Sequence, residues 1–102
     1  MKPKFNLETP IQEVFSDDKF NEIIQTELTE FKNKINDLKR PKGGVKQFIE
    51  KFSIDEIKVQ YIRIANKKAY LTAIQRKIIV HLVSASLIKT IQFYQLNPEP
   101  CE

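Results

Sequence analysis

The sequence predicts an all-α protein: a small bundle of about five helices, three longer and two short, gathered around a central C-terminal helix. Three observations lead there. An apolar run fills residues 72–96, apolar stripes at helical spacing recur through the rest of the chain, and there are only 2 Gly in 102 residues. So few Gly leave an all-β fold without its tight turns.

The C-terminal run opens on Thr72-Ala73-Ile74-Gln75, a Thr followed three residues later by Gln. At that spacing each side chain satisfies a backbone N–H that the helix start leaves orphaned. Beyond it, apolar residues such as Ile78, Val80, Leu82, Val83, Leu87, Ile88, Ile91 and Tyr94 fall on every face. A surface helix keeps one polar side. A helix over 73–96 therefore needs neighbours most of the way round, and it becomes the centre of the expected fold.

The remaining elements follow in chain order. Residues 1–8 read as a flexible arm. Thr9-Pro10-Ile11-Gln12 predicts a short helix over 10–15, with Thr9 as cap and Pro10 in the first helical position. Ser16-Asp17-Asp18 starts a longer helix over 17–39, its acids at the positive end of the helix dipole. Ile24, Leu28, Phe31, Ile35 and Leu38 are spaced 4, 3, 4, 3 along it, a heptad seam that can pack within the domain or pair with another chain. Lys39 and Arg40 suit its C-terminus, and Pro41-Lys42-Gly43-Gly44 breaks the chain in a turn too short for a domain linker.

Val45, Phe48, Ile49 and Phe52 then mark a short helix over 45–52. The next stretch carries two signals. Ile57-Lys58-Val59-Gln60-Tyr61 alternates like a strand and is rich in β-branched residues. Ile54, Ile57, Tyr61 and Ile64 nevertheless keep helical spacing, Ser53 and Glu56 stand as a capping pair, and no second strand is evident. The expectation is a helix over 54–66. Residues 67–71 connect it to the central helix, and 97–102 read as a flexible tail of a single domain spanning 1–102.

At this length, folding buries roughly two-thirds of the unfolded surface, enough for a core without metal or disulfide. Apolar content of 41% and charged content of 29% suit a globular protein. The N-terminus Met1-Lys2-Pro3-Lys4 leads into no apolar run, which predicts no signal peptide. The charge-free run Ile78–Ile88 falls far short of the ~20 residues a bilayer requires, so no membrane span is expected and the expected location is the cytoplasm.

Chemistry is sparse. Cys101, the single cysteine, lies in the tail, where it neither builds a disulfide framework nor suits an activated nucleophile. His81, the single histidine, is expected to be partly buried, sharing a face with Ile78 and Ala85. One His and one tail Cys cannot close a tetrahedral metal site. The acid pairs Asp17-Asp18 and Asp55-Glu56 sit at helix starts, where capping and the dipole account for them. With no nucleophile–base pair, the sequence predicts no catalytic residues, no cofactor and no metal, hence not an enzyme.

Two binding classes remain. In the first, the protein is a helical interaction module, an adaptor or regulatory subunit, that associates with itself or with another protein through apolar helix faces. Its candidate interface is Ile24, Leu28, Phe31, Ile35 and Leu38 with Ile91 and Tyr94 from the far end of the central helix. In the second, it binds nucleic acid. Residues 1–38 carry a net charge of −3 and residues 39–89 a net of +9, and such asymmetry suits an anionic partner. The candidate patch is Arg40, Lys42, Lys46, Lys67, Lys68, Arg76 and Lys77. Only Ser53 separates the helices flanking it, too little for a helix-turn-helix, so phosphate contact is better supported than base reading.

Overall fold

The structure is a computed structural model that describes residues 2–38 and 44–98. Among these residues there are five α-helices and no strand: α1 (Ile11–Phe15), α2 (Asp18–Asp37), α3 (Val45–Glu50), α4 (Ile54–Ala65) and α5 (Ala73–Leu96). The expected all-α bundle is the fold. α5 packs on α2 and α4; α2 also meets α1, α3 and α4. The expected stop signals Lys39, Arg40 and Pro41, the Lys42-Gly43 part of the turn, and Cys101 lie outside the described residues.

Local chemistry explains the helix starts. Thr72 Oγ1 accepts from the Gln75 N–H at 3.2 Å while the Gln75 side chain accepts from the Thr72 N–H at 3.0 Å, so the α5 capping box is complete. Ser53 Oγ accepts from the Glu56 N–H at 3.1 Å, which starts α4 as a helix. Cap and period together override the β-branched composition there. Asp17 Oδ2 accepts from the Phe20 N–H at 3.0 Å and caps α2. Gly44 precedes α3 at φ 70°, a left-handed conformation that Gly adopts without the steric cost of a Cβ.

Two local expectations are corrected. Thr9 does not cap α1, whose N-cap position is Pro10 with no side-chain bond. The Thr9 hydroxyl instead accepts from the Asn6 N–H at 3.0 Å, closing a turn with the Thr9 N–H to Asn6 carbonyl bond. The segment read as an arm over 1–8 is docked in its described part. Phe5 is 5% exposed and meets the Tyr94 ring edge-on at 5.4 Å, and Lys4 Nζ lies 2.9 Å from Asp17 Oδ1. A single aromatic in a polar stretch has no period to announce it.

The core is built from Phe20, Ile24 and Leu28 of α2 against Ile79, Leu82 and Val83 of α5, closed by Ile57 of α4, Ile49 of α3 and Val14 and Phe15 of α1. Ser86 and Thr90 of α5 are fully buried among them. Both hydroxyls donate back to their own helix, to the Leu82 carbonyl at 2.6 Å and the Ser86 carbonyl at 2.7 Å, so no buried polar atom is left unsatisfied there. Lys58 Nζ crosses to the end of α1, donating to the Phe15 carbonyl at 2.8 Å and to Asn21 Oδ1.

The molecule measures 52 × 31 × 17 Å. Packed helix axes lie about 8–10 Å apart and each backbone cylinder is about 4.6 Å across, so the short dimension holds two helix layers and not three. α5 is thus the helix the others gather on, but they gather on one side of it.

Candidate interaction surface

The uncovered side of α5 is the feature that two layers leave over. Lys77, Val80, His81, Ile88, Gln92 and Gln95 are exposed along it, with Ser84 half-buried between, at steps of three or four residues. Ile88 is 51% exposed and Val80 37%, and Ile74 and Leu96 extend the apolar character towards both ends. His81 belongs to this face and is exposed, not partly buried. It lies two residues from the fully buried Ile79, about 200° around the helix, and so turns away from the core that α5 shares with α2.

Two grooves flank the stripe. One is formed where the end of α4 meets the first half of α5, with Ile64, Val80 and Ala73 as apolar floor and Arg76, Lys77, His81 and Ser84 along it. It continues into a smaller cleft of Ile64, Lys67, Ala69 and Arg76. The other lies at the far half, where Leu7 of the N-terminal turn stands beside Ile88, Ile91, Gln92 and Gln95. Among the described residues, no Asp or Glu lines the groove and cleft near α4, and the chain has none between Glu56 and Glu99.

A third depression is lined by Lys4, Phe5, Glu13, Asp17, Asp18 and Tyr94. Its central carboxylate is committed to the fold. Asp17 is 6% exposed, caps α2, pairs with Lys4 and accepts from the Tyr94 hydroxyl at 2.9 and 3.1 Å. Burial raises its pKa, but the Lys4 ammonium, the Phe20 N–H and the Tyr94 hydroxyl together outweigh burial and hold the carboxyl below its ordinary value. No group of three metal-ligating side chains occurs among the described residues.

The residues expected as an interface are divided by the structure. Ile24, Leu28 and Ile91 are buried against the chain's own helices; Phe31 and Ile35 are half-buried; Leu38 is 54% exposed. Tyr94 is half-buried, between the Phe5 and Phe93 rings and the Asp17 carboxylate. Of the expected basic patch, Arg40 and Lys42 lie outside the described residues. Lys67, Arg76 and Lys77 come together along the groove and cleft, Lys68 is exposed beside Lys67, and Lys46 is exposed on α3 without lining either. Acidic α2 does reach a cation of α5, though one outside that patch. Lys89 pairs with Glu27, whose hydrogen bond and charge raise the lysine's pKa.

The exposure of Val80 and Ile88 is not legible in the sequence, because a helix apolar all round gives no sign of which face stays open; Leu7, in the N-terminal turn, belongs to no apolar period. Sequence reasoning also passed over Tyr70, which is fully exposed in the α4–α5 connection. No helix among the described residues is long and apolar enough to cross a membrane. Comparison with protein-family models, with curated proteins and with solved structures returns no match.

Proposed function

We propose that this chain is a non-enzymatic helical interaction module whose α5 face joins two copies of itself. One observation carries the reading: a stripe with Val80 and Ile88 exposed runs the length of the helix that also anchors the core. Apolar side chains left exposed along one helix face are a surface through which chains can associate.

The charge pattern favours a second copy as occupant. Between Lys77 and Lys89 the helix has no acidic or basic residue apart from His81, so a two-fold pairing brings no Lys, Arg, Asp or Glu into its centre. Ser84 lies at the middle of α5, and with Ala85 beside it the two backbones can approach closely. Antiparallel pairing about Ser84 sets Ile88 of one copy opposite Val80 of the other and aligns the helix dipoles favourably.

Cross-linking tests this geometry. In a Cys101→Ser background, Ser84→Cys should oxidise to a disulfide-linked dimer at ~100 μM, because a two-fold axis near this residue holds the two thiols within bonding reach. Thr29→Cys, on the outer side of α2, serves as the control and should stay monomeric under the same oxidant. Equal and slow cross-linking of both variants would contradict the proposal.

A further inference from the structure

We infer that the α4–α5 connection binds single-stranded nucleic acid, stacking an unpaired base on Tyr70 and holding the flanking phosphates with Lys67, Lys68, Arg76 and Lys77. This site is centred on the α4–α5 connection, and of its residues Lys77 also belongs to the open face of α5 proposed to join copies.

The first observation is Tyr70 itself, 100% exposed. A fully exposed aromatic ring contributes no burial to the fold, and the side chain has no hydrogen bond among the described residues. Its ring is free on both faces, as a stacking platform requires.

The second observation is how the lysines beside it are held. α4 ends in a tight reversal in which the Lys67 N–H bonds the Ile64 carbonyl at 3.0 Å and the Lys68 N–H bonds the Arg63 carbonyl at 2.8 Å. Lys67 occupies the left-handed position of that reversal, at φ 58°, where Gly is the ordinary residue. The chain therefore carries a cation at a position where Gly folds better, a local cost that the surrounding reversal holds in place. Lys67 shares its cleft with Arg76, and Arg76 shares the adjoining groove with Lys77.

The third is electrostatic. Arg76 and Lys77 sit near the start of α5, whose first turn has no acidic residue. Cations there face the positive end of the helix dipole, an arrangement that an anion relieves. Among the described residues none of these four cations has an ion-pair partner. Tyr70 selects the strand state: bases in a duplex are already stacked on one another, whereas an unpaired base is free to cover the ring.

Fluorescence anisotropy with a labelled oligothymidine of about 20 nucleotides, and with a duplex of the same length, tests the site. Binding to the single strand is expected to weaken roughly 50-fold between about 50 mM and about 200 mM salt, since four phosphates at a slope of about −0.7 each release counterions. Tyr70→Ala should weaken single-strand binding about tenfold while leaving duplex binding within about twofold, and Tyr70→Phe should restore it. The Lys67→Glu, Lys68→Glu double variant should abolish both. All of these side chains are exposed, and an unchanged circular dichroism spectrum verifies the fold. Absence of single-strand binding at the lower salt would overturn the inference, as would a Tyr70→Ala variant that binds like the parent. Tighter binding of poly-glutamate than of the oligonucleotide would also overturn it, in favour of an acidic protein partner.

Discussion

Asp17 joins three parts of the chain through one carboxylate: the start of α2, Lys4 in the N-terminal segment and Tyr94 near the end of α5. Asp17→Ala should destabilise the fold by about 2–3 kcal/mol. The lost cap contributes about 1 kcal/mol, and the hydrogen bonds to Tyr94 and Lys4 supply the rest at about 1 kcal/mol each, the exposed Lys4 somewhat less. Chemical denaturation measures this directly. The acid dependence follows from the lowered pKa. The folded chain holds this proton less tightly than the unfolded one, so the stabilisation is complete above the ordinary aspartate value of 3.8 and is lost as pH falls through the lower folded value. Asp17→Asn keeps a capping oxygen but should flatten that acid limb of the stability curve. Lys67 gives the opposite sign: Lys67→Gly relieves a left-handed residue and should raise stability by about 1 kcal/mol, read in the same denaturation experiment.

At the scale of elements, the two sides of α5 make opposite predictions. Val83 is fully buried, and Val83→Ala should cost about 1–3 kcal/mol through lost burial and the cavity left behind. Ile88→Glu changes the open side and should leave the unfolding midpoint of an isolated chain within about 0.5 kcal/mol of its parent, while lowering the solution mass if copies meet there. Much of each helix was legible because its signals are local. The Thr72 and Ser53 caps act across three residues, and the stripe at Ile54, Ile57, Tyr61 and Ile64 is carried by spacing alone. Thr9 misled because Asn6, also three residues away, competes for its hydroxyl. The heptad seam of α2 was legible as an apolar line, but not that its first half would be covered by α5 and its end at Leu38 left exposed.

The whole molecule decides what single elements cannot. The pairing of Asp17 with Tyr94, the docking of Phe5 and the exposure of His81 all depend on which helices lie against α5, and that information is distributed over contacts distant in the chain. An apolar circumference announces a central helix without saying that two layers, 17 Å deep, will cover only one side. The candidate surface was accordingly half legible. Lys67, Arg76 and Lys77 were expected to share a patch and line adjoining clefts, whereas Tyr70 and the Val80–Ile88 stripe emerged from the packing. The charge asymmetry also resolves at this scale, with one cation of α5, Lys89, reaching back to acidic α2 at Glu27.

Solution mass tests the central claim, that the open face of α5 joins copies. Light scattering on the full chain at ~100 μM should give about twice the 12.0 kDa chain mass. The value should be the same at about 0.1 M and about 1 M salt, because an apolar contact is not screened as ion pairs are. Ile88→Glu should return the mass to that of one chain with its helical spectrum intact. A parent protein that scatters as a single 12.0 kDa chain at that concentration would contradict the account.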